Sequence, residues 1–294
     1  MVTMAAPVVV GVDGSASSFQ AVAWAAEEAA LRGAPLRVVH AALRWAYDVP
    51  LVPQPAHWGA DAEASVRELL RQATERAHAA APGLEVTTEV VDGAAAGALA
   101  AAAGTAQLAV VGSRGRGGFT GLLLGSVGRD LAAEAPCPVV VVRHPPARDG
   151  AEIVAGVTGR PDQEPVLRFA FEEAALRGLP LRALHAWTHP ATRAPGDMQP
   201  LVYDVEGVGQ EEARLLAESL GGWREKFPDV PLVEHVVHEH PGKALVDASE
   251  TAELVVVGPR SRGKVLGSTV YALLHHAHAP VAVVRHLAPH AHRP

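Results

Sequence analysis

The chain has 294 residues, of which 49% are hydrophobic and 19% are charged, and its net charge is −7. This composition excludes a disordered chain, and the negative charge argues against a nucleic-acid partner that is held mainly through its phosphates. One cysteine excludes an intrachain disulfide, and no apolar stretch approaches the ~20 residues that span a bilayer, so we expect a cytoplasmic protein without a membrane segment.

Strands and helices are predicted to alternate along the first half of the chain. Short apolar runs rich in β-branched residues predict strands, and longer alanine-rich stretches predict helices. The first of these helices has N-cap candidates at 15–18 and a closing glycine in Gly33. The predicted strands are 8–12, 36–42, 85–91, 108–112 and 139–143, and the predicted helices are 19–32, 61–80, 97–103 and 126–134. This alternation indicates βαβ units and a parallel sheet.

The second half of the chain repeats the first. The heptapeptide Glu-Glu-Ala-Ala-Leu-Arg-Gly at 27–33 recurs at 172–178, a spacing of about 145 residues, which is too long for a solenoid unit and predicts tandem domains. We expect domains at 1–146 and 151–294, joined near 145–150, where proline, glycine and charge interrupt the apolar pattern. The strands of the second domain are expected near 153–157, 182–186, 232–237, 254–258 and 281–285.

A glycine-rich loop follows the fourth predicted strand. Five glycines lie between positions 112 and 121, which leaves backbone N–H groups within reach of a ligand. Gly125 and Ser126 then open a helix whose N-terminus suits a phosphate, and Arg114 and Arg116 add positive charge. The loop lacks the Gly-Lys-Ser/Thr triplet of a P-loop, and a dinucleotide fingerprint would follow the first strand instead. A plain surface connection is the alternative interpretation.

Asp13 lies just after the first predicted strand, at the edge where open α/β sheets bind ligands. If strands one and four are adjacent, Asp13 and Gly112 face each other across the switch point of the sheet. A carboxylate in that place accepts hydrogen bonds from a sugar hydroxyl or holds a magnesium ion. This pairing favours a ligand site over a plain surface loop.

The spacing Gly112-x2-Gly115-x9-Gly125-Ser126, combined with Gly-Val-Asp-Gly-Ser at 11–15, resembles the universal stress protein family. The resemblance covers nearly all of both halves. It implies two doubly wound α/β domains, each with a five-stranded parallel sheet of order 3-2-1-4-5 and helices on both faces.

The ATP-binding branch of this family implies ATP, with or without Mg²⁺, at the switch point. Carried over by position, the resemblance places Asp13 by the ribose and adenine, and the backbone of Ala41 against the adenine. The residues that it places around the ribose and phosphates are Gly112, Gly115, Gly125, Ser126 and Val127.

The second copy departs from this pattern. Thr158 replaces Asp13 and Ser261 replaces Gly115, and Pro259 removes a backbone donor. Only five residues, rather than nine, separate Ser261 from the next glycine, Gly267. We therefore expect ATP in the first domain, whereas a smaller anion or a weaker nucleotide contact stays open for the second.

No catalytic pair and no metal site stand out elsewhere in the sequence. His238 and His240 have no carboxylate or cysteine at ligand spacing, which favours a solvated polar edge over a metal site. His40 and His185 occupy equivalent strand ends and are interpreted as hydrogen-bonded structural residues. Cys137 precedes an apolar run and is expected to be a small core residue.

Three functions are consistent with the sequence. The leading hypothesis is a regulatory protein of the stress response that senses ATP. The alternatives are a slow ATPase or phosphoryl or nucleotidyl transferase, for which only Asp13 is available as acid or base, and an interaction module with an empty loop. The apolar last strand of each half predicts that the two domains pair with each other, and further pairing into a homodimer stays open. No protein client is indicated.

Overall fold

The computed structural model describes residues 5–42, 58–115, 124–144, 151–188, 204–259 and 266–285, and of residues 58–60 and Pro161 only the backbone. The described residues form two units, one before position 145 and one after position 150, which we call the first and second domains. The predicted joint at 145–150 lies outside the described residues. Across these ranges, no helix has the length and apolar character that crossing a membrane requires.

The first domain is a parallel sheet of order β3-β2-β1-β4-β5. Its strands are β1 (Val8–Gly11), β2 (Leu36–Ala42), β3 (Val86–Asp92), β4 (Leu108–Gly112) and β5 (Val139–Val142). Its helices are α1 (Ala16–Leu31), α2 (Trp58–Ala80), α3 (Ala95–Ala103) and α4 (Ser126–Glu134). The order reverses at β1 and β4, which are neighbours, as the resemblance implied.

The second domain has the equivalent order β8-β7-β6-β9-β10, again parallel throughout. Its strands are β6 (Glu152–Gly156), β7 (Leu181–Trp187), β8 (Leu232–His238), β9 (Ala252–Val257) and β10 (Val281–Val283). Its helices are α5 (Glu164–Arg177), α6 (Val205–Lys226), α7 (Pro241–Ala248) and α8 (Ser268–His276), and a 3₁₀ turn (Pro161–Gln163) precedes α5. The expected α/β fold is therefore confirmed.

Helices cover both faces of each sheet. In the first domain α1 packs with α2, and α3 packs with α4, the division that right-handed crossovers require when the strand order reverses between β3 and β4. The shared packing extends to single residues. A Cβ at Gly11 would lie 2.6 Å from Cδ1 of Leu99, and one at the equivalent Gly156 would lie 3.0 Å from Cδ1 of Leu245. Each first strand is thus pressed against its third helix.

The repeated heptapeptide has a structural reason. Its second glutamate, Glu28 or Glu173, is fully buried and forms an ion pair with the arginine four residues later, Arg32 or Arg177. The glycine that ends the motif has φ +58° at Gly33 and +62° at position 178, a conformation that disfavours other residues. The motif therefore specifies the end of the first helix in each domain.

The element predictions agree with the structure except at the ends. The predicted strand 281–285 stops at Val283, two residues early. In the first domain the amide of Ser113 donates to the carbonyl of Val142 (2.9 Å) and extends the pairing of β4 with β5. Pro259 stands in the place of Ser113 and has no N–H to donate, so the equivalent bond is lost and β10 is shorter.

Candidate functional site

The turn between β1 and α1 begins the site. Asp13 follows β1, and its Oδ1 accepts a hydrogen bond from the amide of Ser15 (3.0 Å). Ser15 caps α1 by accepting from the amide of Ser18 (3.1 Å). Gly14, with φ +84°, makes this tight turn possible. The carboxylate is therefore held at the carboxyl edge of the sheet by local hydrogen bonds.

Two serines join this turn to the glycine-rich loop. The hydroxyls of Ser15 and Ser17 both donate to the carbonyl of Arg114, that of Ser15 over 3.1 Å. The end of β4 also lies close to the start of α1, because a Cβ at Gly112 would be 2.6 Å from the carbonyl carbon of Ser17. Glycine at position 112 is required by this approach of two backbones.

Gly115 lies against the Asp13 carboxylate. A Cβ on Gly115 would be 2.6 Å from Oδ2 of Asp13, closer than real Cβ contacts come. The sequence predicted that Asp13 faces Gly112 across the switch point, and the structure brings Asp13 against Gly115, three residues farther along the loop. Any side chain at position 115 would displace the carboxylate.

The N-terminus of α4 completes the site. The amide of Gly125 donates to the carbonyl of Ser113 (2.8 Å), which joins the two limbs of the loop at its base. The Cβ position of Gly125 lies 3.7 Å from Cα of Arg114 and from N of Gly115. Among the described residues, no side chain caps α4 at Gly125. The first backbone amides of α4 therefore stay available to a ligand at the positive end of the helix dipole. Ser126 is exposed there and Val127 is half-buried.

Ala41 lies at the same edge, near the end of β2. The preceding residue, His40, donates from Nδ1 to the carbonyl of Val12 (2.8 Å), one residue before Asp13. This bond confirms the structural role expected of His40 and holds the end of β2 beside the turn. Ala41 is half-buried and pairs with Val91 of β3.

Positive charge accompanies the loop. Arg143 follows β5, the strand that pairs with β4 up to Gly112 and Val142. Partial burial lowers the pKa of Arg143 below its ordinary value, and repulsion from the Arg114 guanidinium lowers it further. Two guanidinium groups therefore lie at one edge of the loop, an arrangement that favours an anion. Arg116, the other predicted cation, lies outside the described residues.

The turn between β6 and α5 in the second domain has the same backbone with different side chains. Thr158 and Gly159 stand in the places of Asp13 and Gly14, and φ of Gly159 is +69°. Oε1 of Gln163 accepts from the amides of Thr158 (2.6 Å) and Gly159 (3.1 Å). Gln163 occupies the position of Ser18, whose hydroxyl accepts more weakly from the amide of Asp13 (3.4 Å).

The remaining candidates have structural roles in the described part of the chain. No group of three or more potential metal ligands exists among the described residues. His238 stacks on Trp187 with ring centroids 4.3 Å apart, and His240 caps α7. Cys137 is buried, and burial raises the pKa of its thiol to about 12, as expected of a core residue.

Sequence reasoning missed the serine bonds to Arg114 and the role of Gln163. The sequence predicts Ser15 and Ser17 only as N-cap candidates for α1, and not as donors to the loop. The signal for Gln163 was present in the repeat, since aligning the two copies places a long polar side chain opposite Ser18.

The Universal stress protein family model matches the chain twice, at residues 4–143 and 151–285. The chain is 38% identical over 290 residues to universal stress protein Rv2005c of Mycobacterium tuberculosis, covering 95% of this chain and 96% of that protein. It is 36% identical over 291 residues to universal stress protein Rv2623 of the same species, with the same coverage. A solved universal stress protein from Archaeoglobus fulgidus DSM 4304 has a TM-score of 0.70 at 18% identity, over 95% of this chain and 96% of that one, and shares the fold.

Proposed function

Because this chain belongs to the universal stress protein family, we propose that it is a regulatory protein whose first domain holds ATP at the switch point between β1 and β4. The observation that carries this proposal is the contact of Gly115 with both the Asp13 carboxylate and Gly125. These contacts bring together a carboxylate, a glycine-rich backbone and a helix N-terminus, which suit the ribose and the phosphates of one nucleotide.

Gly125 supports a ligand in this place. Its φ of −74° is open to any residue, and among the described residues the atom nearest to its Cβ position is the carbonyl oxygen of Ser113, 3.6 Å away. The described residues around it therefore do not require glycine here. A phosphate lying against Cα of Gly125 would explain why this position is glycine, because a side chain would fill the space in front of the α4 amides.

Each residue of the site has a proposed role. Asp13 accepts hydrogen bonds from the ribose, and the backbone of Ala41 contacts the adenine. The loop backbone at Gly112 and Gly115 borders the ribose and phosphates. The amides of the α4 N-terminus, which comprises Gly125, Ser126 and Val127, donate to the phosphates.

Magnesium enters this proposal only with the triphosphate. The described residues contain no group of three protein ligands, so the phosphates would supply most of the oxygen ligands that Mg²⁺ prefers. Asp13 is the carboxylate beside the loop that would complete the set. An intracellular pool of ATP fits a cytoplasmic location for such a sensor.

The first experiment measures bound nucleotide. Nucleotide content of the purified chain and thermal unfolding with millimolar ATP and Mg²⁺ are compared for the wild type, Asp13→Ala and the matched variant Thr158→Ala. We expect ATP to raise Tm for the wild type and for Thr158→Ala and to have a much smaller effect on Asp13→Ala. An unliganded wild type that gains no thermal stability from ATP would favour the interaction module.

The second experiment separates a sensor from an enzyme. Phosphate release from ATP is followed with the same three proteins, since Asp13 is the acid or base available beside the loop. We expect slow release or none, because Oδ1 of Asp13 already accepts the Ser15 amide. Rapid release that only Asp13→Ala abolishes would establish the ATPase instead.

A further inference from the structure

We propose that side chains of the second domain close its own switch-point cleft, so that this domain takes no nucleotide. The sites of the two domains are then not equivalent, and the chain binds one nucleotide. The count of one nucleotide per chain rests on the function proposed for the first domain, whereas the closure of the second domain does not. Four contacts, all between described residues, carry the inference.

The side chain of Gln163 accepts the hydrogen bonds that the backbone amides of the turn after β6 can donate. Its Oε1 accepts from the amides of Thr158 and Gly159, and its Nε2 donates to the carbonyl of Gly156 (3.4 Å). The side chain is only 8% exposed. Two consecutive amides beside a left-handed glycine form a concave site for an anion or carbonyl oxygen. In this domain that site is filled by a residue of the same chain.

Leu215 of α6 lies directly over this turn. A Cβ at Gly159 would be 2.6 Å from Cγ of Leu215. The face of Gly159 that lacks a side chain is therefore covered by an apolar side chain from the neighbouring helix. A ribose at this place would have to displace Leu215.

Glu212, less than one turn before Leu215 on α6, reaches the end of β7. Its Oε2 lies 2.7 Å from Nε2 of His185, whose Nδ1 donates to the carbonyl of Val157 (2.8 Å). His185 is therefore bonded on one side to the turn after β6 and on the other to helix α6. The two side chains occupy the end of β7, which is equivalent to the end of β2, where the adenine is proposed to lie in the first domain.

Trp187 fills the position on the adenine side. It is the last residue of β7, corresponds to Ala42 in the first domain, and is 8% exposed. Its ring stacks on His238 and lies 3.8 Å from the Cβ position of Gly209 on α6. Ala186, the counterpart of Ala41, is thus followed by a bulky packed ring.

Gln163, Glu212 and Trp187 differ from their counterparts in the first domain. Aligning the copies places Ser18 opposite Gln163, and Ala42 opposite Trp187. Aligning α2 with α6 through their paired leucines places Val66 opposite Glu212. Leu215 does not differ, because the same alignment places Leu69 opposite it. Three of the four closing side chains are therefore specific to the second copy.

The number of binding sites tests the inference. Equilibrium dialysis with labelled ATP is carried out on the full chain and on Gly115→Ala, with folding checked by circular dichroism. We expect one ATP per wild-type chain and loss of that ATP in the variant. Two ATP per chain, or one that persists in the folded variant, would overturn the closure. No ATP on the wild type would instead contradict the function proposed for the first domain.

Hydrogen exchange of individual amides locates the effect. Gln163→Ala is expected to accelerate exchange at Thr158 and Gly159 at least tenfold, because their acceptor is removed. The matched variant Glu164→Ala, which removes the exposed ion pair with Arg168 and keeps Gln163, is expected to leave these amides unchanged. In the wild type, ATP should slow exchange at 13–15 and 113–115 only. Slower exchange at 158–159 on adding ATP, or no response to Gln163→Ala, would refute the inference.

Discussion

The turns after β1 and β6 have nearly the same backbone conformation, but different side chains surround them. Gly14 and Gly159 have φ of +84° and +69°. In each domain a polar side chain after the turn accepts a hydrogen bond from a backbone amide of the turn. In the first domain that side chain is Ser18, and Asp13 stands beside the glycine-rich loop. In the second, Gln163 accepts two amides and Leu215 covers the turn.

This comparison teaches that a duplicated fold keeps its scaffold more strictly than its site. The features common to both copies are the strand order, the buried glutamate and arginine of the heptapeptide, and the close packing of Gly11 or Gly156 on the third helix. Those features stabilise the domain whether or not a ligand is bound. The features that differ lie at the carboxyl edge of the sheet.

The largest expected effect comes from Gly115→Ala. Its Cβ would lie 2.6 Å from Oδ2 of Asp13, which belongs to a side chain that can move, so the variant should fold while the carboxylate leaves its place. We expect affinity for ATP to fall about tenfold to a hundredfold, because a hydrogen bond to a charged group contributes about 1.5–3 kcal/mol. Isothermal titration calorimetry measures the change.

Gly97→Ala is the control for that variant. Gly97 lies within α3, and a Cβ there meets no atom within 4 Å. The change should leave the affinity for ATP unaltered and add about 0.5–1 kcal/mol to the free energy of unfolding. If both variants lost the same affinity for ATP, Asp13 and Gly115 would not belong to the ATP site.

The second effect concerns stability. Gly112→Ala places a Cβ against the backbone of Ser17, whereas Gly258→Ala at the equivalent position meets Cγ2 of Val166 at 2.9 Å. A backbone yields less readily than a side chain, so we expect Gly112→Ala to cost about 1–3 kcal/mol and Gly258→Ala clearly less. Urea unfolding measures both, and hydrogen exchange in β4 and β9 assigns each loss to a domain. A larger cost for Gly258→Ala would reverse this comparison.

The smallest effect concerns Cys137, whose counterpart in the second domain is the buried Ala279. Cys137→Ala should change the free energy of unfolding by less than about 1 kcal/mol at pH 7, since the equivalent space already accepts alanine. Burial raises the pKa of the thiol from 9.0 to about 12. The folded state therefore keeps a proton that the unfolded state loses above pH 9.

That difference gives a pH dependence with a definite sign. Relative to Cys137→Ala, the wild type should lose stability as the pH rises from about 9 towards 12, by up to about 1.4 kcal/mol per pH unit, and show no such loss below pH 9. Urea unfolding of both proteins at pH 8 and pH 10 tests this. A constant difference between them would mean that the thiol ionises freely in the folded chain.

Much of this architecture was predictable from the sequence because it follows from local patterns. Helix α4 begins and ends at the predicted residues, 126 and 134, since Gly125 precedes it and Ala135 and Pro136 follow it. The contact of Asp13 with Gly115 was predictable in outline, because the strand order brings the ends of β1 and β4 together.

The closure of the second cleft was not predictable in the same way. The contact of Glu212 with His185, and the position of Leu215 over the turn, depend on how α6 packs against the sheet, which no local pattern specifies. Strand β10 ends one residue earlier than its counterpart β5, because Pro259 lacks the amide that Ser113 donates, and a count of apolar residues does not detect this. Such effects require the three-dimensional position of single atoms.

The buried ion pair of the heptapeptide explains why this motif is present in both copies although the ligand turn differs. Glu28 and Glu173 are fully enclosed, so losing one arginine would remove the ion-pair partner of a charge in the core. Selection for folding alone therefore preserves this motif in both copies. The heptapeptide ends the first helix of each domain, whereas the turn that differs between the copies lies at the start of that helix, so the motif reports the fold of a copy and not its ligand.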